Sequence, residues 1–169
     1  YALITILPLT AFLLGLSTEI VSFLFERGEF TAESTKNTSM VLTAFLLGLP
    51  AATLVKILTP YFFAIETPRI YLKVTTYSNL INLILMLILY EFIGFLGIPI
   101  ALSVSFYALF YLLLSEHKKK NFFSYDNLNL LLAIKYLGLS VVIFFGCKEI
   151  SSITSVSYTH LTLPTKRKV

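Results

Sequence analysis

The chain has 169 residues, 57% of them hydrophobic and 13% charged, with a mean hydropathy of +0.84. A soluble domain carries roughly 45–50% and about 25%, so a water-soluble enzyme is excluded and a bilayer becomes the natural solvent. The formal charge of +4 owes much to Lys166, Arg167 and Lys168 near the C-terminus, and no basic patch interleaved with aromatics remains elsewhere, which excludes a nucleic-acid binder.

Five stretches reach or approach the roughly 20 apolar residues that a spanning helix needs. They cover residues 2–25, 40–63, 71–89, 97–114 and 128–145. The expected fold is therefore an all-α integral membrane protein: a polytopic helix bundle of about five transmembrane helices over residues 1–150, followed by a polar tail over 151–169. Tyr1 stands in an apolar run without Met or a basic segment before it, so the sequence reads as an internal piece of something longer.

In the first stretch, Glu19 is either a buried partner or an interfacial carboxylate. The octapeptide Leu9 to Leu16 recurs letter for letter at Leu42 to Leu49, but the match stops on both sides, and repetition in Leu-rich helices carries no functional weight. Between the first two stretches, Thr31 followed by Glu33 has the form of a helix N-cap, with Glu26 and Glu29 in the same solvated loop. Asn37-Thr38-Ser39 matches a short glycosylation pattern of little specificity.

The second stretch holds the most informative residue. Lys56 lies between Pro50 and Pro60, inside a span where an ionisable group is a functional candidate by default. It either lines a cavity and attracts an anionic substrate group, or snorkels to the nearby membrane surface. Pro50 and Pro60 each remove a backbone donor, and with Gly48 beside them they mark this helix as the expected hinge. Asn82 in the third stretch calls for a helix–helix hydrogen bond or an ion. Lys135 in the fifth is a lipid-phosphate contact or another snorkelling lysine.

Counting basic residues in the short connections gives five on the side of the second and fourth loops and three on the other. The first helix then enters from the cytoplasm. From Ser155 onward the chain turns Thr-rich and alternating, as a non-native extension or a polar segment on the membrane surface would. Neither Cys147 nor the separated His117 and His160 supports a disulfide framework or a metal site. No phosphate loop and no catalytic constellation is present, so neither an enzyme nor a cofactor is expected.

Three motifs in order carry a family resemblance: Phe23-Leu24-Phe25-Glu26-Arg27-Gly28-Glu29-Phe30-Thr31, then Leu47-Gly48-Leu49-Pro50-Ala51, then Leu54 to Ala64 with Thr67-Pro68 following. Their order and spacing resemble the MurJ/MviN family of lipid II flippases over about Leu3 to Leu114. The resemblance implies a two-lobe transporter of the MOP superfamily in the bacterial cytoplasmic (inner) membrane. Such a protein has fourteen spans and moves the lipid-linked peptidoglycan precursor outward. The five helices would be spans nine to thirteen, with the N-terminal lobe of the same protein as missing partner and membrane lipids around them.

Carried over by position, the resemblance makes Lys56 a cavity lysine facing pyrophosphate. It implies a sodium site at Asn82, but Met86 stands where the second ligand would be an acid and Leu102 where the third would be a threonine. Proton or potential coupling stays open. An exporter of other lipid-linked sugars or drugs in the same superfamily, and a non-transporting scaffold for cell-wall synthesis, are the competing readings.

Overall fold

The computed structural model describes residues 2–64, 66–119 and 130–161, with side chains over 5–64, 66–116 and 135–150. Six helices follow one another: α1 (Ala2–Gly15), α2 (Ser17–Phe25), α3 (Ala32–Ala64), α4 (Pro68–Ile93), α5 (Gly97–Lys119) and α6 (Leu130–Leu161), with a 3₁₀ turn, Gly94–Leu96, between α4 and α5. No strand occurs among the described residues. The protein is an all-α membrane helix bundle.

The single helix expected over 2–25 is instead a bent pair, α1 and α2 meeting at 65°. Hydrogen bonding carries on across the corner, from the Leu16 N–H to the Phe12 carbonyl at 3.1 Å and from the Ile20 N–H to the Leu16 carbonyl at 2.9 Å. The bend coincides with the closest approach of α6. A Cβ built on Gly15 would lie 2.6 Å from the Cys147 Cβ and 3.3 Å from the Phe144 carbonyl oxygen.

The connection from α2 to α3 is held by its own polar side chains. One carboxylate oxygen of Glu26 accepts from Ser22 Oγ at 2.6 Å and from Thr35 Oγ1 at 3.0 Å, tying the end of α2 to the start of α3. These two hydrogen bonds, Ser22 first, hold the Glu26 carboxyl below its ordinary pKa. The Phe25 and Phe30 rings pack at 6.0 Å. Thr31 caps α3 as its sequence position suggests: its hydroxyl lies 3.4 Å from the Ser34 N–H and its carbonyl accepts from the Thr35 N–H at 2.9 Å. Because the cap acts here, α3 starts at Ala32 and not at 40. Its first two turns are polar, and at about 1.5 Å per residue its 33 residues run roughly 50 Å, longer than the hydrocarbon core.

Residues Pro68–Glu116 form a continuous apolar stretch of 49 residues, roughly 73 Å if straight, which is more than two bilayer cores. It is a hairpin. The chain turns back at Gly94–Leu96, and a Cβ on Gly97 would sit 2.5–2.7 Å from the Leu89 and Tyr90 backbone. Ser78 Oγ then donates to the Ser105 carbonyl at 3.0 Å, which fixes the antiparallel register. Helices α4 and α5 therefore make two crossings. Helix α6 runs on to Leu161, so the change of character expected at 151 has no break in the helix path to match it. Residues 128, 129 and 162–169, which belong to the expected fifth span and tail, lie outside the described residues.

Helix α5 packs between α3 and α4. Val55 and Phe62 of α3, Val74 of α4, and Leu109 and Leu113 of α5 make a core, with Tyr61 and Tyr71 against it. Higher up, Gly48 lets α5 press onto α3: a Cβ there would lie 2.6, 2.8 and 3.0 Å from Ser103 Oγ, Cα and Cβ. Gly48 opposite Ser103 and Val55 in one cluster with Leu109 set the two helices parallel. On the far side of α3, Thr43 Oγ1 reaches Ser17 Oγ of α2 at 3.3 Å, and α6 lies against α1.

The octapeptide repeat turns out to be two copies of one packing face. Thr10 and Thr43 each donate back to the carbonyl four residues earlier, at 2.6 and 2.8 Å. Ala11 and Ala44 are both buried, Phe12 and Phe45 both exposed, and Gly15 and Gly48 each sit under a crossing helix.

Two outcomes are expected. Gly48→Val forces backbone apart at Ser103 and lowers stability by about 1–3 kcal/mol, read as a lower denaturation midpoint in detergent, and adding Ser103→Gly recovers part of it. An unchanged midpoint would remove the contact from the account. For Glu26, a depressed folded-state pKa means that the clip's contribution is present above the ordinary carboxylate pKa and is lost only as pH falls through the lower folded value. Carboxylate ¹³C NMR should place the Glu26 midpoint below the ordinary glutamate value, and Ser22→Ala should move it up.

Candidate functional site

One face of α3 is packed and another is not. Ala44, Gly48, Ala51, Val55 and Phe62 are buried along the stripe toward α5, while Phe45, Lys56, Pro60 and Phe63 are exposed. The exposed residues recur at helical spacing, so they share one side of the rod. Lys56 is thus aimed away from the core, with aromatic and apolar neighbours above and below it. Eight residues separate it from the helix end at Ala64, roughly 12 Å at 1.5 Å per residue. A strongly hydrated ammonium on such a face needs an anion, water or an interface within reach of its stem.

The three residues expected to form a hinge have different roles. Helix α3 passes through Pro50 and Pro60 without interruption, and Gly48 is occupied by the contact with Ser103. The sharp bend in the chain lies at Leu16 instead. Pro50 leaves the Leu46 carbonyl without its intrahelical donor, and α5 hydrogen-bonds to carbonyls on either side of it. Ser103 Oγ donates to the Ala44 carbonyl at 2.6 Å and Tyr107 Oη to the Leu47 carbonyl at 2.9 Å. Below, Thr59 Oγ1 donates to the Val55 carbonyl at 2.8 Å and lies 3.3 Å from the Tyr71 hydroxyl.

Asn82 and Met86 are half-buried on the side of α4 that meets α5. The Ser78 to Ser105 register puts Asn82 level with Ala101 and Leu102, so Asn82, Met86 and Leu102 do converge on one stretch of the α4–α5 seam. Their chemistry does not converge. One amide oxygen beside a thioether and a Leu methyl is a poor shell for a hard cation. Nor does Asn82 meet Lys56: Asn82 is level with Ala101, whereas Val55 beside Lys56 packs with Leu109, eight residues or roughly 12 Å further along α5. Lys135 is exposed on α6, and Glu19 is half-buried on α2. Among the described residues no group of three His, Cys, Asp or Glu side chains could hold a metal.

Sequence reasoning missed a recess of about 550 Å³, lined by Ile70, Lys73, Val74, Tyr77 and Ile81 of α4 with Leu112 and Glu116 of α5. The α4 members have a helix-face spacing that could have been noticed, whereas the approach of α5 depends on the hairpin register. A smaller recess of about 330 Å³ beside the α1–α2 bend carries the hydroxyls of Ser17, Thr18, Ser39 and Thr43.

With this geometry in place, comparisons with known proteins are informative. A family model described as "Lipid II flippase MurJ" matches residues 1–164. The chain is 40% identical over 99 residues to the probable lipid II flippase MurJ of Rickettsia prowazekii (strain Madrid E), covering 59% of this chain and 20% of that protein. It is 31% identical over 150 residues to the probable lipid II flippase MurJ of Helicobacter pylori (strain J99), covering 88% of this chain and 31% of that protein. Its fold is similar to a solved structure of lipid II flippase MurJ in an inward closed conformation, with a TM-score of 0.66 at 23% identity over 91% of this chain and 37% of that one. The chain thus spans about a third or less of the curated relatives named here.

Proposed function

The chain belongs to the lipid II flippase MurJ family, and on that premise we propose that it is one part of a flippase that carries the lipid-linked peptidoglycan precursor across the bacterial cytoplasmic membrane. A transporter family of this kind needs no bond-making chemistry, only a cavity that opens to one leaflet and then to the other. The observation that carries the reading is the placement of Lys56: a cation on an exposed side of α3, within the apolar part of the chain and away from the stripe that α3 buries against α5.

In this reading the exposed side of α3 is one wall of the cavity and the N-terminal lobe of the same protein is the other. Lys56 then supplies a point charge to the pyrophosphate of the cargo, and Phe45, Pro60 and Phe63 give an apolar wall along its lipid portion. Lys135 is a secondary contact for a lipid phosphate. Asn82, lacking an acid at Met86 and a hydroxyl at Leu102, serves as a weak ion contact at most, so the driving force comes from another ion or from the membrane potential. Pro50 and Pro60, each without a backbone N–H, and Gly48, without a side chain, contribute flexure to α3, with α5 following because Ser103 and Tyr107 hold on to it.

The test is Lys56→Ala in the intact protein. A charge-assisted contact of about 1.5–3 kcal/mol corresponds to a loss of roughly ten- to hundredfold in transport, and complementation of a flippase-depleted strain should fail at normal expression and membrane insertion. Lys56→Arg should retain activity. Full complementation by Lys56→Ala would overturn the assignment of that residue.

A further inference from the structure

The recess between α4 and α5 has an order to it. Lys73 and Glu116 stand at the same end of the hairpin, the end opposite the Gly94–Leu96 turn, and both line the opening. One turn deeper along α4 comes Tyr77, one turn further Ile81, with Ile70, Val74 and Leu112 making the remaining wall. Charge, then an amphipathic ring, then hydrocarbon is the sequence of environments met on passing from water through the headgroup layer into a bilayer.

A lysine alone at such a place would attract any lipid phosphate. The carboxylate beside it makes the site more selective, because it disfavours a purely anionic headgroup and favours one that carries a cation next to its phosphate. We propose that this recess binds a zwitterionic phospholipid with a primary amine, of the phosphatidylethanolamine type. The phosphate lies against the Lys73 ammonium, the lipid ammonium donates to the Glu116 carboxylate, and an acyl chain runs past Tyr77 and Ile81. An ionised carboxylate accepts several donors at once, so Glu116 can take a lipid ammonium beside the interaction it already makes. A volume of about 550 Å³ suits a headgroup with its glycerol and the first part of a chain, the remainder lying on the exposed apolar side of α4 at Leu80, Leu83 and Ile84. This site is separate from the proposed cargo wall on α3 and goes beyond the transport reading: it concerns a lipid of the bilayer itself.

The ammonium proton decides the test. A choline headgroup keeps the phosphate and the positive charge but has no N–H to donate, so it isolates the contribution of Glu116. The intact protein, stripped of lipid and titrated in detergent, is examined by native mass spectrometry with ethanolamine, choline and glycerol phospholipids of identical chains. The ethanolamine lipid should bind about three- to fivefold more tightly than the choline lipid, as a partly exposed ion pair provides. Glu116→Gln should abolish that preference, weakening the ethanolamine lipid more than the choline lipid, and Lys73→Gln should weaken both. Equal binding of the two lipids by the wild type, or a preference that survives Glu116→Gln, would overturn the proposal. So would tightest binding of the glycerol lipid. Because the readout is lipid occupancy and not transport, failure here leaves the flippase reading standing, and failure of Lys56→Ala to impair transport leaves this one standing.

Discussion

The bundle depends on how closely α5 can lie against α3. At Gly48 there is no side chain to hold the helices apart, and Ser103 fills the space with its own backbone and hydroxyl. That closeness lets Ser103 and Tyr107 donate to α3 carbonyls beside Pro50. Inside a bilayer no water competes for these interhelical bonds. Packing and polar satisfaction are therefore one event at this crossing. With α5 fixed on α3, the hairpin places α4, the Val55, Phe62, Val74, Leu109 and Leu113 core closes, and an exposed side of α3 is left to carry Lys56.

Much of the helical plan was legible because length and apolarity are local properties. The polar corner at Thr31 and the turn before Gly97 can be read without knowing what touches what, whereas the expected first helix is two. The bend at Leu16 could not, and the repeat explains why. The same eight residues lie at the end of α1, where the axis turns by 65°, and in the middle of α3, where it does not turn even though a proline follows. Local propensity is identical in the two copies; what differs is the crossing element, α6 over Gly15 and α5 over Gly48. Tertiary context decides the backbone path, and a sequence examined in isolation carries no trace of it.

The candidate sites divide the same way. Lys56 is conspicuous as a charge among apolar letters, and its orientation follows from the periodicity of the residues that α3 buries. Asn82, Met86 and Leu102 came from a family pattern, and the fold does gather them on one seam, yet two of the three side chains lack an oxygen. Lys73 and Glu116 stood in loops or helix ends where charges are ordinary. Only the antiparallel register of α4 and α5 turns them into a pair at one opening, and register is set by Ser78, Ser105 and Gly97, residues with no charge at all.

The turn between α4 and α5 bears on how the protein is made. Gly94, Phe95 and Leu96 offer no polar loop that could wait in water while one helix settles and the other is still being synthesised, and the nearest charge is Glu91 within α4. Left alone in the bilayer, α4 would present Ser78 and Asn82 to lipid. Its natural companion is the next helix off the ribosome, which carries the Ser105 carbonyl that Ser78 needs. The two legs are thus suited to leaving the insertion machinery together, as a preformed helical hairpin, and a chain stalled between them would expose a half-made membrane segment to the quality-control proteases of the cell.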